Sequence, residues 1–135
     1  MKRHLASLAC FVLATLAFEV GAQDAPETIS VTSSAFDHHG MVPESNSAYG
    51  ENVSIDLTWA DLPEGTQQLA LICDDPKVVE IGMMEQPFVH WVMYNIPASA
   101  SGLPAGLPSD ATLEMEGLEG AVNGLNGLRR PGYFG

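Results

Sequence analysis

Residues 88–96 read Phe-Val-His-Trp-Val-Met-Tyr-Asn-Ile, and this stretch decides the fold class. Bulky apolar side chains occupy both of its alternating faces, and one histidine, His90, lies among them. Residues 68–73, Gln-Leu-Ala-Leu-Ile-Cys, form a second run that is apolar on both faces after its first residue. A strand with one face in water alternates apolar and polar residues, whereas a strand covered on two sides does not. The two runs therefore predict two central β-strands covered on both faces.

Shorter alternating patterns flank these two runs. Apolar and polar residues alternate strictly between Asn52 and Trp59, which predicts a half-buried strand, and residues 29–32 repeat the pattern over a shorter length. Residues 61–65, Asp-Leu-Pro-Glu-Gly, have the composition of a turn. No amphipathic helix of useful length follows residue 22. We therefore expect an all-β domain, an antiparallel β-sandwich.

The C-terminal part of the chain is harder to interpret from pattern. Residues 97–108 hold three prolines and two glycines without periodicity, which predicts a long surface connection. Residues 111–119 fit either a short strand or a single helical turn. Residues 120–135 are rich in glycine and asparagine and predict no particular element.

The charge balance excludes one class of partner. The chain carries 17 acidic against 5 basic residues, a formal net charge of −12. Binding to nucleic acid requires lysines and arginines that displace counterions from phosphates, and no basic patch is visible. We expect no nucleic-acid partner, and an anionic membrane surface is disfavoured for the same reason.

The N-terminus has the features of a signal peptide over residues 1–22. Lys2 and Arg3 precede a largely apolar run, residues 5–18, and Val20-Gly21-Ala22 has the small-x-small pattern of a cleavage site. The run is shorter than the about 20 residues of a membrane span, so no stable membrane insertion is expected. A lipid anchor on Cys10 is rejected because that residue lies in the middle of the run. We expect residues 23–135 to form one domain that is periplasmic or secreted.

Only one cysteine, Cys73, follows the predicted signal peptide. A single cysteine cannot form an intramolecular disulfide, so stability must come from packing. Its apolar neighbours favour a buried thiol over a reactive one.

Asp75 and His90 are the candidate site residues. Asp74-Asp75-Pro76 directly follows one apolar run and His90 lies in the next, so a hairpin-like return would bring Asp75 and His90 together. The Asp75 carboxylate would then be a hydrogen-bond partner for the imidazole, which needs one on an apolar face. Two simpler interpretations stay open: His90 as a core histidine bonded to backbone, and Asp75 as a turn residue before Pro76.

Other reactive groups form no recognisable site. His38 and His39 are adjacent in an irregular segment, and the histidine and cysteine spacings match no zinc signature, so neither a metal nor a cofactor is expected. No nucleophile motif or glycine-rich phosphate loop is present. A hydrolase or lyase would have to use Asp75 and His90 as its acid and base pair.

Three segments together resemble the phosphatidylethanolamine-binding protein family, in particular its bacterial Raf kinase inhibitor-like branch. They are Ser54-Ile55-Asp56-Leu57-Thr58-Trp59 with Leu62-Pro63-Glu64-Gly65-Thr66, then Leu69-Ala70-Leu71-Ile72-Cys73-Asp74-Asp75-Pro76, then His90-Trp91-Val92-Met93-Tyr94-Asn95-Ile96-Pro97. One such motif would be weak, but the ordered set is specific. The resemblance covers about residues 29–135.

The resemblance implies a β-sandwich with a small anion-binding pocket at one end. Asp75 and Pro76 match the first Asp-Pro of the family's Asp-Pro-Asp-Ala-Pro loop, His90 matches its pocket histidine, and Phe88 falls where an aromatic pocket wall is usual. The implied ligand is a phosphate or a phosphorylated head group. We therefore expect a binding protein rather than an enzyme.

The chain departs from the family pattern in two places. Lys77 replaces the second Asp of the loop, and Val78-Val79 replaces its Ala-Pro. The sequence also stops at Gly135, where the family continues into a Gly-Pro-x-Pro-Pro loop and a His-x-Tyr strand that supply pocket residues. We therefore expect a C-terminally incomplete fragment of the fold.

The function expected from the sequence is an exported, non-enzymatic binding module for a small anionic or phosphorylated ligand, with a protein partner left open. Two alternatives stand beside it: an acid/base enzyme using Asp75 and His90, and a fragment without function. Turnover that His90→Ala abolishes would favour the enzyme. A molten, dye-binding state would favour the fragment.

Overall fold

Residues 28–135, which the computed structural model describes, form two antiparallel β-sheets of three short strands each. The strands are β1 (Ser30–Thr32), β2 (Leu57–Ala60), β3 (Gln68–Asp75), β4 (Phe88–Pro97), β5 (Gly102–Leu103) and β6 (Val122–Asn123). The helical elements are a 3-10 turn (Glu44–Asn46) and α1 (Lys77–Glu80). One sheet has the order β1-β2-β5 and the other β3-β4-β6. The predicted all-β, antiparallel class is confirmed.

The hairpin of β3 and β4 is the largest pairing and positions the site. Asp75 pairs with Phe88, Cys73 with Trp91 and Leu69 with Ile96. Register shifts between Leu69 and Leu71 and between Cys73 and Asp74 mark irregularities that bend the strand. The hairpin return brings the end of β3 to the start of β4, as the sequence predicts.

The two strands of this hairpin differ in how they are covered. β4 lies between β3 and β6, which confirms a central strand. Its face with Trp91 and Met93 is fully buried, but Tyr94 on the other face is 46% exposed, so only one face is fully covered by residues 28–135. β3 lies at the edge of the sheet among the described residues, and its side chains alternate between half-buried and exposed. Ile72 is 69% exposed. The prediction that β3 is covered on both faces is wrong for residues 28–135, because no described element packs on the face that carries Ile72.

Strand β2 is shorter than its sequence pattern. The alternation from Asn52 to Trp59 predicts a strand along its whole length, but β2 begins at Leu57. Before that point the backbone bonds to loops instead of a neighbouring strand, since Val53 N–H donates to Ser45 and the Ser54 carbonyl accepts from Gly106. Ser54 and Ile55 are nevertheless buried. The side-chain alternation therefore predicted the burial of Ile55 but not that of Ser54, and it predicted the strand pairing only in part.

The connection after β4 is not the surface loop that its composition predicts. β5 lies within it and pairs with β2, with Thr58 opposite Gly102. Leu103 and Leu107 are buried in the core. Residues 111–119 form neither a strand nor a helical turn, and β6 lies within the segment for which the sequence predicted no element.

Both sheets contribute to one core. Its buried members are Trp91, Met93, Ile96, Leu103, Leu107, Leu113, Leu118 and Ala121, and Leu57 and Trp59 of the other sheet pack against them. Asn123 is buried among these residues and its polar atoms are all engaged: its carbonyl accepts from the Trp91 indole at 3.1 Å, and its amide donates to Pro108 and Asp110. A buried side chain that is bonded in this way anchors the loop after β5 to the centre of the sheet.

The predicted signal peptide, residues 1–22, lies outside the described residues. Among residues 28–135, no helix has the length and apolar character needed to cross a membrane.

Candidate functional site

A cleft of about 360 Å³ opens at the end of the β3–β4 hairpin. Strand β3 contributes Cys73, Asp74 and Asp75, and β4 contributes His90. The other lining residues come from distant segments: Val42, Asn46, Ser47, Ile55, Tyr133 and Gly135. We call this the Asp75–His90 cleft. It brings together the two residues that the sequence singled out.

The Asp75 carboxylate both stabilises a turn and lines the cleft. One of its carboxylate oxygens accepts the backbone N–H of Lys77 at 2.8 Å, which closes the turn through Pro76 into α1. The side chain is half-buried and lines the cleft. The turn interpretation and the pocket interpretation of Asp75 are therefore compatible, because a carboxylate has room for further hydrogen bonds.

Pro76 and Lys77 lie at the rim of the site and not inside it. Pro76 is exposed, precedes α1 and is not among the residues that line the cleft. The Lys77 ammonium pairs with Glu80 at 2.7 Å, and both side chains are more than half exposed, 68% and 60%. This exposed pair contributes well under about 1 kcal/mol to stability. The lysine that departs from the family pattern thus has a carboxylate partner outside the cleft.

The imidazole of His90 is bonded to backbone. Its Nδ1 lies within hydrogen-bond distance of the Phe134 carbonyl, and the Phe134 N–H donates to the His90 carbonyl at 2.9 Å. The expectation that Asp75 would be the imidazole's partner is wrong. The carbonyl is the nearer acceptor because the chain segment that ends at Gly135 returns alongside β4.

This bond decides what His90 can offer a ligand. A carbonyl only accepts, so Nδ1 carries a proton and Nε2 of the neutral ring is an acceptor. Nε2 becomes a donor only in the protonated imidazolium. A neutral His90 can therefore receive a proton-bearing ligand atom, and a charged His90 can donate to an anionic oxygen.

Phe88 packs beside the histidine and does not line the cleft. Its ring meets the His90 ring edge to face, with centroids 4.9 Å apart, and the Phe134 ring at 6.1 Å. Edge-to-face pairs of this kind contribute about 0.5–1.5 kcal/mol beyond the area that they bury. Phe88 is placed to hold the orientation of the imidazole.

Two other ionisable groups of the cleft are held protonated. Burial raises the pKa of the half-buried Cys73 thiol, and the charges of Asp74 and Asp75 raise it further. Burial also raises the pKa of Tyr133 to about 12, with a smaller contribution from Cys73. The Tyr133 hydroxyl donates to the Asn46 carbonyl at 2.6 Å. The thiol is less buried than predicted, and its raised pKa disfavours the thiolate.

The electrostatic character of the cleft is acidic. Among residues 28–135, Asp74 and Asp75 are the only charged side chains that line it when His90 is neutral, and no lysine or arginine of that range lines it. The Ser47 hydroxyl donates to Glu44 and the Tyr133 hydroxyl to Asn46, so both donors are engaged within the protein. The free capacity of the cleft is therefore mainly hydrogen-bond acceptors.

Sequence reasoning missed the half of the cleft that comes from distant loops. Gly135 reaches the 3-10 turn region, where its carbonyl accepts from Ala48 N–H at 2.8 Å and its N–H donates to the Asn52 side chain at 2.8 Å. Residues 120–135 have no periodic pattern, so nothing in the local sequence indicated that Tyr133 and Gly135 would line a site. His38 and His39 are exposed and lie outside the cleft.

Comparisons with known proteins agree on one family. A family model described as phosphatidylethanolamine-binding protein matches residues 32–135. A Methanothermobacter thermautotrophicus protein named UPF0098 protein is 34% identical over 107 residues, which cover 79% of this chain and 65% of the relative. A Mycobacterium tuberculosis protein that carries a lipoprotein name is 33% identical over 111 residues, which cover 82% of this chain and 48% of the relative.

Solved structures agree with this result. The Escherichia coli protein YbcL, described as a member of the mammalian PEBP family, matches with a TM-score of 0.64 and 30% identity over 79% of this chain and 65% of its own. Chlamydia trachomatis CT736 matches with a TM-score of 0.61 and 29% identity over 81% of this chain and 65% of its own. The chain spans slightly under two thirds of the length of both structures.

Proposed function

Because the chain belongs to the phosphatidylethanolamine-binding protein family, we propose that the protein is an exported, non-enzymatic binding module whose Asp75–His90 cleft takes a phosphorylated head group. Export is supported by the signal-peptide pattern of residues 1–22 and by the relative that carries a lipoprotein name. A protein partner that the bound module modulates is compatible with this role.

One observation carries the proposal: Asp75 and His90 line the same cleft from neighbouring strands. Neither residue belongs to the hydrophobic core around Trp91 and Met93. A half-buried carboxylate and a half-buried imidazole that share an opening to solvent are typical of a binding site.

The acidic character of the cleft restricts the chemical class of ligand that it can bind. A bare phosphate would be repelled by Asp74 and Asp75, so an anion alone is a poor match. A head group that carries both a phosphate and an ammonium satisfies both kinds of group. The ammonium would donate to the carboxylates, and the phosphate would bond to His90, through a protonated ligand oxygen or the imidazolium.

The test is thermal unfolding of the full chain with phosphoethanolamine, inorganic phosphate or ethanolamine, beside His90→Ala. The matched control is His38→Ala, because His38 is exposed and outside the cleft. A ligand that binds only the native state raises the midpoint, by about 5 °C or more when its concentration far exceeds its Kd. We expect phosphoethanolamine to raise the midpoint most, and His90→Ala to remove the shift.

Three results would contradict the proposal. An equal shift in wild type and His90→Ala would place the ligand elsewhere. The absence of a shift with all three compounds would reject a head-group site. Release of inorganic phosphate from phosphoethanolamine, abolished by His90→Ala, would favour the acid/base enzyme instead.

A further inference from the structure

We propose that a second cleft, centred on Arg130, is a binding site for a small oxoanion. This cleft has a volume of about 380 Å³, and its polar lining comes from Asn52, Ser109, Asn126 and Arg130. Tyr133 lines both this Arg130 cleft and the Asp75–His90 cleft, so its ring forms part of the wall between them.

Within the part of the chain that the structure describes, the lining of the Arg130 cleft contains donors and a positive charge but no carboxylate. Glu51 and Asp110 are chain neighbours of lining residues, yet both are exposed and neither lines the cleft. The amide oxygen of Asn52 accepts the Gly135 N–H, which leaves its NH₂ group as the free end. The Arg130 guanidinium and the Asn52 amide are therefore donors that an oxoanion can meet together.

Arg130 has no competing partner in the described part of the chain. The basic residues of that part are Lys77, Arg129 and Arg130. Lys77 forms the ion pair with Glu80, whereas neither arginine pairs with a carboxylate among residues 28–135. A guanidinium has donors in a fork that matches two oxygens of a phosphate or carboxylate, so an unpaired one beside a cleft is an anion receptor by its chemistry.

The loop that carries Arg130 is held in place by Asn126. The Asn126 side chain accepts from Leu128 N–H and Arg130 N–H and donates to the Gly132 carbonyl at 3.0 Å. The Asn126 N–H donates to the Arg130 carbonyl at 2.8 Å. Asn126 is buried, so these bonds are protected from water. The backbone at Arg130 is therefore fixed before any ligand arrives, which reduces the part of the entropy cost of binding that comes from ordering the loop, while the Arg130 side chain itself is exposed.

Gly132 allows the segment around Ser109 to approach the loop that carries Arg130. Its φ is +86°, and a Cβ there would lie 2.9 Å from the backbone and side chain of Ser109. The glycine thus brings the Ser109 segment against the Arg130 loop and closes the cleft on that side. The Ser109 hydroxyl adds a third donor to the lining.

The test is a ¹H–¹⁵N NMR titration of the full chain with inorganic phosphate, with acetate as a second probe. Arg130→Gln is compared with Arg129→Gln, since Arg129 is the adjacent arginine, is exposed and does not line the cleft. The two variants change the net charge equally. We expect signals of residues 126–134 to shift, the phosphate Kd to rise at least tenfold in Arg130→Gln, and Arg129→Gln to stay within twofold. A Ser109→Ala variant should weaken binding about threefold.

Equal losses in both arginine variants would overturn the proposal and reveal diffuse charge attraction. The absence of shifts in residues 126–134 in wild type would do the same. Tighter binding of phosphate than acetate identifies a phosphate-type ligand, and the reverse identifies a carboxylate. His90→Ala should leave these shifts intact while removing the rise in the unfolding midpoint that phosphoethanolamine gives beyond inorganic phosphate, so the two sites can be tested independently.

Discussion

The two clefts on either side of Tyr133 differ in the sign of their charge. Of the side chains that the structure describes, two carboxylates and no lysine or arginine line the Asp75–His90 cleft, whereas a guanidinium and no carboxylate line the Arg130 cleft. Both depend on the same short C-terminal segment, since Tyr133 faces each of them. A chain with a net charge of −12 therefore still presents a local cationic site. Local arrangement, more than net charge, decides which small ligands a surface can hold.

Removal of the Tyr133 side chain, which separates the two clefts, should have the largest effect on stability and on ligand binding. Tyr133→Ala deletes the edge-to-face contact with Trp91, at 5.7 Å between centroids, and the hydrogen bond to Asn46. We expect the free energy of unfolding to fall by about 2–4 kcal/mol and both clefts to lose their ligands. Urea denaturation measures the first effect. Tyr133→Phe is the control, with a loss of about 1 kcal/mol because only the hydrogen bond is removed.

A change at Gly132 should affect the Arg130 cleft alone. Gly132→Ala introduces a Cβ at a left-handed φ of +86° and against Ser109, so the free energy of unfolding should fall by about 1–3 kcal/mol. Gly117→Ala is the matched control: its φ is +78°, but no atom lies within 4 Å of the added Cβ. It should cost only the backbone strain, about 1 kcal/mol. If phosphoethanolamine binding and phosphate binding both fell in Gly132→Ala, this result would contradict the separation of the two clefts.

Stability at alkaline pH should test the burial of Tyr133, whose ring separates the two clefts. The pKa of Tyr133 is raised from 10.0 to about 12, so the unfolded chain releases this proton at a lower pH than the folded chain does. The stabilisation is complete below pH 10 and is lost as the pH rises toward 12. We expect the difference in unfolding free energy between wild type and Tyr133→Phe to shrink over that window. A constant difference would mean that the phenol is not sheltered.

The smallest effect should come from Lys77, the basic residue beside the acidic cleft. Its partner is Glu80, and the pair is exposed. Lys77→Met should change the free energy of unfolding by no more than about 0.5 kcal/mol and leave phosphate binding within twofold. Arg130→Gln, which removes the same charge from the other cleft, should weaken phosphate binding at least tenfold. Similar effects of the two variants on phosphate binding would show that the ion pair with Glu80 does not distinguish Lys77 from Arg130.

Much of the fold could be predicted from particular patterns. The apolar run of β4 identified the central strand, although only the face that carries Trp91 and Met93 is fully buried and Tyr94 on the other face is exposed. The same logic failed for β3, which has the composition of a covered strand but an exposed face among the described residues. Periodicity reports which residues avoid water and not which neighbour covers them.

The candidate site was predicted in part. The hairpin places Asp75 and His90 in one cleft, as the order of the two runs predicts, but the partner of the imidazole is the Phe134 carbonyl. That carbonyl could not be identified from sequence, because a backbone acceptor has no side-chain signature. Phe88, predicted as a pocket wall, packs against the histidine and does not line the cleft.

The sequence by itself determined the strand pattern, the acidic charge balance and the family motifs around Asp75 and His90, since each of these is a property of residues close together in the chain. Only the tertiary structure decided that Tyr133 would separate an acidic cleft from one that holds Arg130. That arrangement depends on the return of the last residues to Asn46 and Asn52 through hydrogen bonds between distant segments. Contacts of this kind leave no periodicity in a sequence, because packing and not local preference selects them.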